Sequence, residues 1–191
     1  MALLHEVLEH NARFVSERNK PLTGKPKKKV AIFTCMDTRL VDFLEQAMGL
    51  GRGDAKMLKN AGNSLIDPQG GMIRSLVVAV YALGCEEVLV IGHTDCGMSR
   101  IDENRLEQQM IERGVDPAAI HALQPSLREW IGAFHHPVEN VQDVVGKIRT
   151  NALIPQSVPV HGLIFDPNAG KLTLLSDGYA AAGRNPDGSA T

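Results

Sequence analysis

The stretch EEVLVIGHTDCG, residues 86–97, decides how this chain is read. From Val88 to Ile91 it is continuously apolar, as in a strand covered on both faces of a parallel sheet. It runs out on His93 and Cys96, with two residues between them. A second apolar run, VAIFT at 30–34, ends in the same manner, on CMDTR at 35–39. In open α/β sheets, sites collect at the carboxyl ends of strands. Cys35 and His93 both occupy such ends.

The rest of the chain supports that architecture. Residues 3–18 place Leu4, Val7, Leu8, Phe14 and Val15 near one face of an amphipathic helix. Residues 39–48 read as a helix stopped by Gly49. AKMLKN at 55–60 is a weaker strand. Asp67 is an N-cap candidate with Pro68 at the first helical position, opening a helix to Leu83 that is apolar nearly all round and therefore expected to be buried. From 99 to 150 the pattern is helical, broken by Gly114, Pro117, Pro125 and Pro137. In its last piece Val138, Val141, Val144, Val145 and Ile148 recur at helical spacing. VPVHGLIFD and KLTLLS are strands joined by PNAG, too close together for a helical crossover, so the last one is antiparallel. The expectation is an α/β fold: a mostly parallel sheet with an antiparallel edge strand, flanked by helices. One domain spans 1–178, and 179–191 reads as a disordered tail.

Composition narrows the function classes. The chain has 191 residues, enough for a full core, and a formal net charge of −2. Nothing there points to nucleic acid or an anionic membrane as partner. No apolar run approaches the roughly 20 residues that span a bilayer. Three cysteines, Cys35, Cys85 and Cys96, fit a reducing cytoplasm better than a disulfide scaffold.

A catalytic zinc takes three protein ligands and keeps one position open. Cys35, His93 and Cys96 can supply a Cys₂His set if their strands are neighbours. Asp37 and Arg39 alternate with Cys35 along the chain, so an Asp–Arg pair can sit beside the metal. Asp37 is then a hydrogen-bond acceptor for a reacting oxygen, or a ligand itself. The plainer alternatives are buried structural thiols, an Asp37 that only caps the next helix, and an Arg39 on the surface. Cys85 starts a strand and reads as a small core residue, and the other six histidines have no spacing that singles them out.

CMDTR and the later HTDCG resemble the β-class carbonic anhydrases, whose pattern is C-x-D-x-R followed by H-x-x-C. KNAGN at 59–63 is similar to the family's R-N-A-G-N loop, with Lys59 where arginine is usual. VPVHGLIFDPNAGKL resembles its carboxyl-terminal hairpin. The absence of a glutamine before residue 46 makes the chain similar to the short archaeal-type branch. The resemblance implies zinc on Cys35, His93 and Cys96, and a dyad of Asp37 and Arg39. Asp37 is then also a candidate fourth ligand in a closed state, from which Arg39 withdraws it. It implies reversible hydration of carbon dioxide to bicarbonate and a proton, by hydroxide made available at the zinc. It further implies a homodimer, or an assembly of dimers, with the amino-terminal helix packed on the partner subunit. Amides near Gly62 or Gly97 are candidates to steady the developing oxyanion. Carbonyl sulfide or carbon disulfide hydrolysis on the same site is the nearest alternative. A non-catalytic zinc protein and a thiol redox protein lie further off.

Overall fold

The structure is a computed structural model and describes residues 3–15, 23–123, 126–185 and 189. Residues 16–18 of the expected first helix, and 186–188, 190 and 191 of the expected tail, lie outside the described residues. Five strands form one sheet: β1 (Val30–Cys35), β2 (Ala55–Asn60), β3 (Glu87–His93), β4 (Val160–Asp166) and β5 (Lys171–Ser176). Their order is β2-β1-β3-β4-β5. The first four are parallel, and β5 runs antiparallel to β4.

Alternation along the strands sends side chains to two cores. Ala31, Phe33, Val88, Val90 and Val160 face one side. There they meet α3 (Gly71–Val77) and α7 (Pro137–Arg149), through Ile73 and Leu76 on the former and Val141, Val144, Val145 and Ile148 on the latter. Val30, Ile32, Ile91 and Phe165 face the other side, with Leu40 and with Leu44 of the short α2 (Phe43–Ala47). Burying each such large side chain is worth about 1.5–3 kcal/mol. Cys35 and Cys96 belong to this second core. Gly92, just before His93, lets α7 close in, because a Cβ there would lie 2.5 Å from Val141 Cγ2.

Three expectations change. The helix foreseen over 39–48 is split: a 3₁₀ turn at Thr38–Leu40 is followed by α2, with Asp42 between them at φ 65°. Gly49 follows α2 in the left-handed conformation that suits a helix stop. The Asp67–Pro68 signal does not open α3. The Asp67 carboxylate accepts from Gln69 N at 2.8 Å in a local turn, and the helix starts after Gly70. Nor is that helix buried all round. It continues as a π turn over Val78–Ala82, and Val78 and Tyr81 are exposed, because only one sheet face lies against it.

The 99–150 region divides into α4 (Glu103–Glu112), α5 (Pro117–His121), α6 (Leu127–Ile131) and α7. The amino-terminal α1 (Leu3–Val15) exposes Leu3, Leu4, Val7 and Leu8. Beyond β5, Tyr179 and a 3₁₀ turn at Ala180–Ala182 take a defined course into the residues called tail from the sequence. No helix among the described residues is long and apolar enough to cross a membrane.

Candidate metal centre

β1 and β3 are hydrogen-bonded neighbours, with Thr34 level with Ile91. Thr34 Oγ1 donates to Ile91 O at 2.7 Å and ties the two strand ends together below the site. The chain beyond β3 turns sharply through Asp95, at φ 56°, and brings Cys96 back beside Cys35. The ligand atoms of Cys35, His93 and Cys96 all lie within 4.8 Å of one another, and all three residues are buried. The two Sγ atoms are 4.0 Å apart.

The histidine's tautomer follows from its neighbour. Nδ1 lies 2.8 Å from Thr94 O. A carbonyl only accepts, so Nδ1 carries the hydrogen and Nε2 presents a lone pair. Nε2 is buried and has no hydrogen-bond partner. An orphaned buried acceptor facing two thiols is costly unless something electrophilic completes it. Two soft sulfurs and one imidazole nitrogen suit zinc, so the residues fit the metal.

The electrostatics agree. Cys35 is drawn below the ordinary thiol range by its contact with the Cys96 sulfur, against burial, with help from His93 and the Asp37 and Gly62 backbone. Cys96 is pushed up by that same contact with an anionic neighbour and by burial. A pair that shares one proton gives it up to a cation. For His93, burial opposes the charged form, but the Cys35 sulfur, the Thr94 carbonyl and the Asp37 charge outweigh it and raise its affinity for a proton.

Beside this group Asp37 and Arg39 form a two-pronged pair. Arg39 Nε donates to Asp37 Oδ1 at 3.0 Å, and Nη2 donates to Oδ2 at 2.8 Å. The guanidinium holds the Asp37 carboxyl down to about 2. Asp37 also accepts from Arg39 N at 2.9 Å and caps the 3₁₀ turn, so the capping role coexists with the pair. Asp37 Oδ2 lies 3.7 Å from His93 Nε2. Arg39 is exposed, as the plainer reading had it, yet its guanidinium is engaged by Asp37 at two atoms, so it is not a bystander.

Other contacts were not legible beforehand. Gly62, at φ 67°, aims its N–H at Cys35 Sγ at 3.3 Å, so that amide steadies a sulfur and is not free for an oxyanion. A Cβ at Gly62 would meet Phe134 Cε1 at 2.7 Å, which explains the glycine. Lys59, the departure from the family loop, donates to Glu45 Oε1 at 3.3 Å and anchors β2 to α2. Cys85 is a buried core thiol that burial pushes up, far from this constellation in role. His161, unremarkable in the sequence, is buried near Glu87 and Asp177. The remaining five histidines do not join the three-residue group.

A family model described as carbonic anhydrase matches residues 30–172. The chain belongs to the carbonic anhydrase family. It is 44% identical over 185 residues, 94% of each chain, to YvdA of Bacillus subtilis (strain 168), whose name assigns it to the carbonic anhydrases. The crystal structure of β-carbonic anhydrase isoform I from Trichomonas vaginalis superposes with a TM-score of 0.89 at 36% identity, covering 94% of this chain and 100% of that one. The fold is therefore that of the β class, as the CMDTR and HTDCG motifs implied. A carbon disulfide hydrolase from Saccharolobus solfataricus is 30% identical over 167 residues, 79% of each chain. Membership makes this carbonic anhydrase chain an enzyme of carbon dioxide hydration, with zinc as its metal.

Proposed function

We propose that carbon dioxide is hydrated at the cluster of Cys35, His93 and Cys96, with Asp37 and Arg39 as the reactive pair. The observation that carries this reading is the unpartnered, buried His93 Nε2 facing two thiols, with a pinned carboxylate 3.7 Å away. Cys35, His93 and Cys96 would hold zinc, which supplies the acidity that brings water from a pKa of about 15.7 to about 7.

Asp37 is ionised at neutral pH, so it is acceptor only. Arg39 engages both of its oxygens from one side and fixes its orientation. Asp37 thus accepts a hydrogen bond from the attacking hydroxyl, which keeps its hydrogen, and aims the oxygen's lone pair at the carbon. As the new C–O bond forms, one C=O π bond of carbon dioxide opens onto its oxygen to give bicarbonate, and the proton that water lost in becoming the attacking hydroxide leaves to buffer. The Gly62 amide tempers the charge on Cys35.

We further infer a cytoplasmic homodimer of single-domain subunits. The apolar side of α1 supports the dimer, because Leu3, at 73% exposure, and Leu4 stay exposed among the described residues. The three free cysteines support a reducing compartment.

One preparation tests the reading. Zinc content and stopped-flow carbon dioxide hydration should give about one metal per chain and measurable turnover, rising toward alkaline pH. Asp37→Ala should keep the zinc and lose about 10²-fold in kcat. Unchanged turnover would remove Asp37 from the mechanism. Zinc without carbon dioxide turnover, but with carbon disulfide turnover, would transfer the same residues to the sulfur substrate, the chemistry named for the Saccharolobus relative.

A further inference from the structure

Arg39 is held from two sides. Besides its two bonds to Asp37, it gives Nη1 to Asp95 Oδ2 at 3.1 Å and Nη2 to Asp95 O at 2.9 Å. Asp95 lies on the turn between the ligands His93 and Cys96, 56 positions away in sequence. Its left-handed backbone, unusual outside glycine, presents its carbonyl and its carboxylate to the same guanidinium. The other carboxylate oxygen, Oδ1, is engaged by Arg100 Nη2. The result is a row of alternating charge: Arg100, Asp95, Arg39, Asp37.

As a stabilising ion pair this row is worth little. Asp95 is 52% exposed and Arg100 65% exposed, and such pairs are screened by solvent. Its consequence is orientation. Arg39 can fix Asp37 only while its own planar fork faces that carboxylate, and Asp95 sets the plane from the opposite edge. If the fork swings, Asp37 Oδ2 has only the 3.7 Å to His93 Nε2 between it and the ligand cluster.

We propose that Asp95 is a positioning residue: it latches Arg39 in the orientation that keeps the Asp37 carboxylate off the metal, and Arg100 steadies the latch. This rests on the reading of Asp37 and Arg39 given above. It adds a residue that touches neither substrate nor metal and acts through Arg39.

The test uses four zinc-loaded full-length proteins: the parent, Asp95→Asn, Asp37→Ala and the double variant. Asparagine tolerates the left-handed backbone, so the turn survives. Its amide leaves one oxygen to face two guanidinium groups, and the latch loosens. Two quantities are read: kcat for carbon dioxide hydration, and the rate of zinc release to excess chelator. Asp95→Asn should lower kcat by about fivefold and slow zinc release by a similar factor, because Asp37 gains time as a fourth ligand. General damage to the site would instead speed release. In the Asp37→Ala background the same Asn substitution should change neither quantity. Arg100→Gln, outside the turn, should act in the same direction by about twofold.

Parent-like kcat and release in Asp95→Asn would overturn the latch, as would faster release or an effect that persists without Asp37. If Asp37→Ala is as active as the parent, the reactive-pair reading fails by itself. The zinc-release comparison then still judges whether Asp95 keeps Asp37 off the metal.

Discussion

Two buried histidines stand at opposite ends of the sheet, and they teach what leaves one ring open to a metal and ties the other into the fold. His93 ends β3, and His161 lies near the start of β4. Each leaves Nε2 buried without a hydrogen-bond partner. The difference is what meets Nδ1. At His93 it is the Thr94 carbonyl, which accepts, so Nε2 keeps a lone pair. At His161 it is the Gly178 N–H, which donates at 3.1 Å, so the ring hydrogen moves to Nε2. That nitrogen faces Glu87 Oε2 at 3.9 Å, while Asp177 Oδ1 lies 3.5 Å from Nδ1, and the Tyr179 ring stacks edge-on at 4.5 Å. A single backbone atom therefore separates an imidazole whose free lone pair could take a metal from one whose ring hydrogen points into the fold.

The hardest way to break this comparison is to exchange outcomes. Cys96→Ser or His93→Ala should strip zinc during gel filtration and take the activity with it, whereas His161→Gln should leave zinc content at the parent's value. Elemental analysis of the eluted peaks decides it. Zinc retained by the first two, or lost by the third, would erase the distinction.

Packing gives the next largest effect. A Cβ at Gly178 would lie 2.5 Å from Val160 N and O, backbone atoms with no room to retreat. Gly178→Ala should cost about 1–3 kcal/mol in denaturant unfolding, with zinc content unchanged. Parent-like stability would mean that the segment after β5 is not seated on β4 as described.

The smallest effect sharpens the comparison by pH. Burial pushes His161 below the ordinary value of 6.5, although the Glu87 and Asp177 charges oppose it, with the Tyr179 hydroxyl also facing Glu87. The folded state thus favours the neutral ring, and the unfolded chain takes up the proton first. Stability from this site is complete above about pH 6.5 and is lost as pH falls below it, by at most about 1.4 kcal/mol per pH unit. His161→Gln should flatten that part of the stability curve. A curve of identical slope would show that His161 does not titrate on unfolding.

The legibility of the sequence follows the range of each interaction. The strands at 30–35, 87–93 and 160–166 announce themselves as mostly apolar runs, because burial between helices needs no partner identity to be read, whereas the edge strand at 171–176 is legible through the PNAG turn that joins it to β4. Cys35, His93 and Cys96 were legible because strand ends gather at one edge of a parallel sheet. The start of α3 was not, because Asp67 had two uses for its carboxylate and the local turn won. Exposure of Tyr81 was not either, since periodicity reports apolar character and not how many neighbours a helix has. The Arg39–Asp95 bonds and the Glu87–His161–Asp177 cluster join residues far apart in the chain, and no spacing rule reaches across that separation.

Gly92 carries a consequence for how such chains can change over generations. Its missing Cβ leaves 2.5 Å to a stiff, β-branched Val141 on α7, and His93 is the next residue. A larger residue at 92 would push directly on the strand that ends in His93. Position 141 must therefore shrink before position 92 can grow, and the reverse order passes through a damaged enzyme. The two sites form a one-way door in the chain's mutational history.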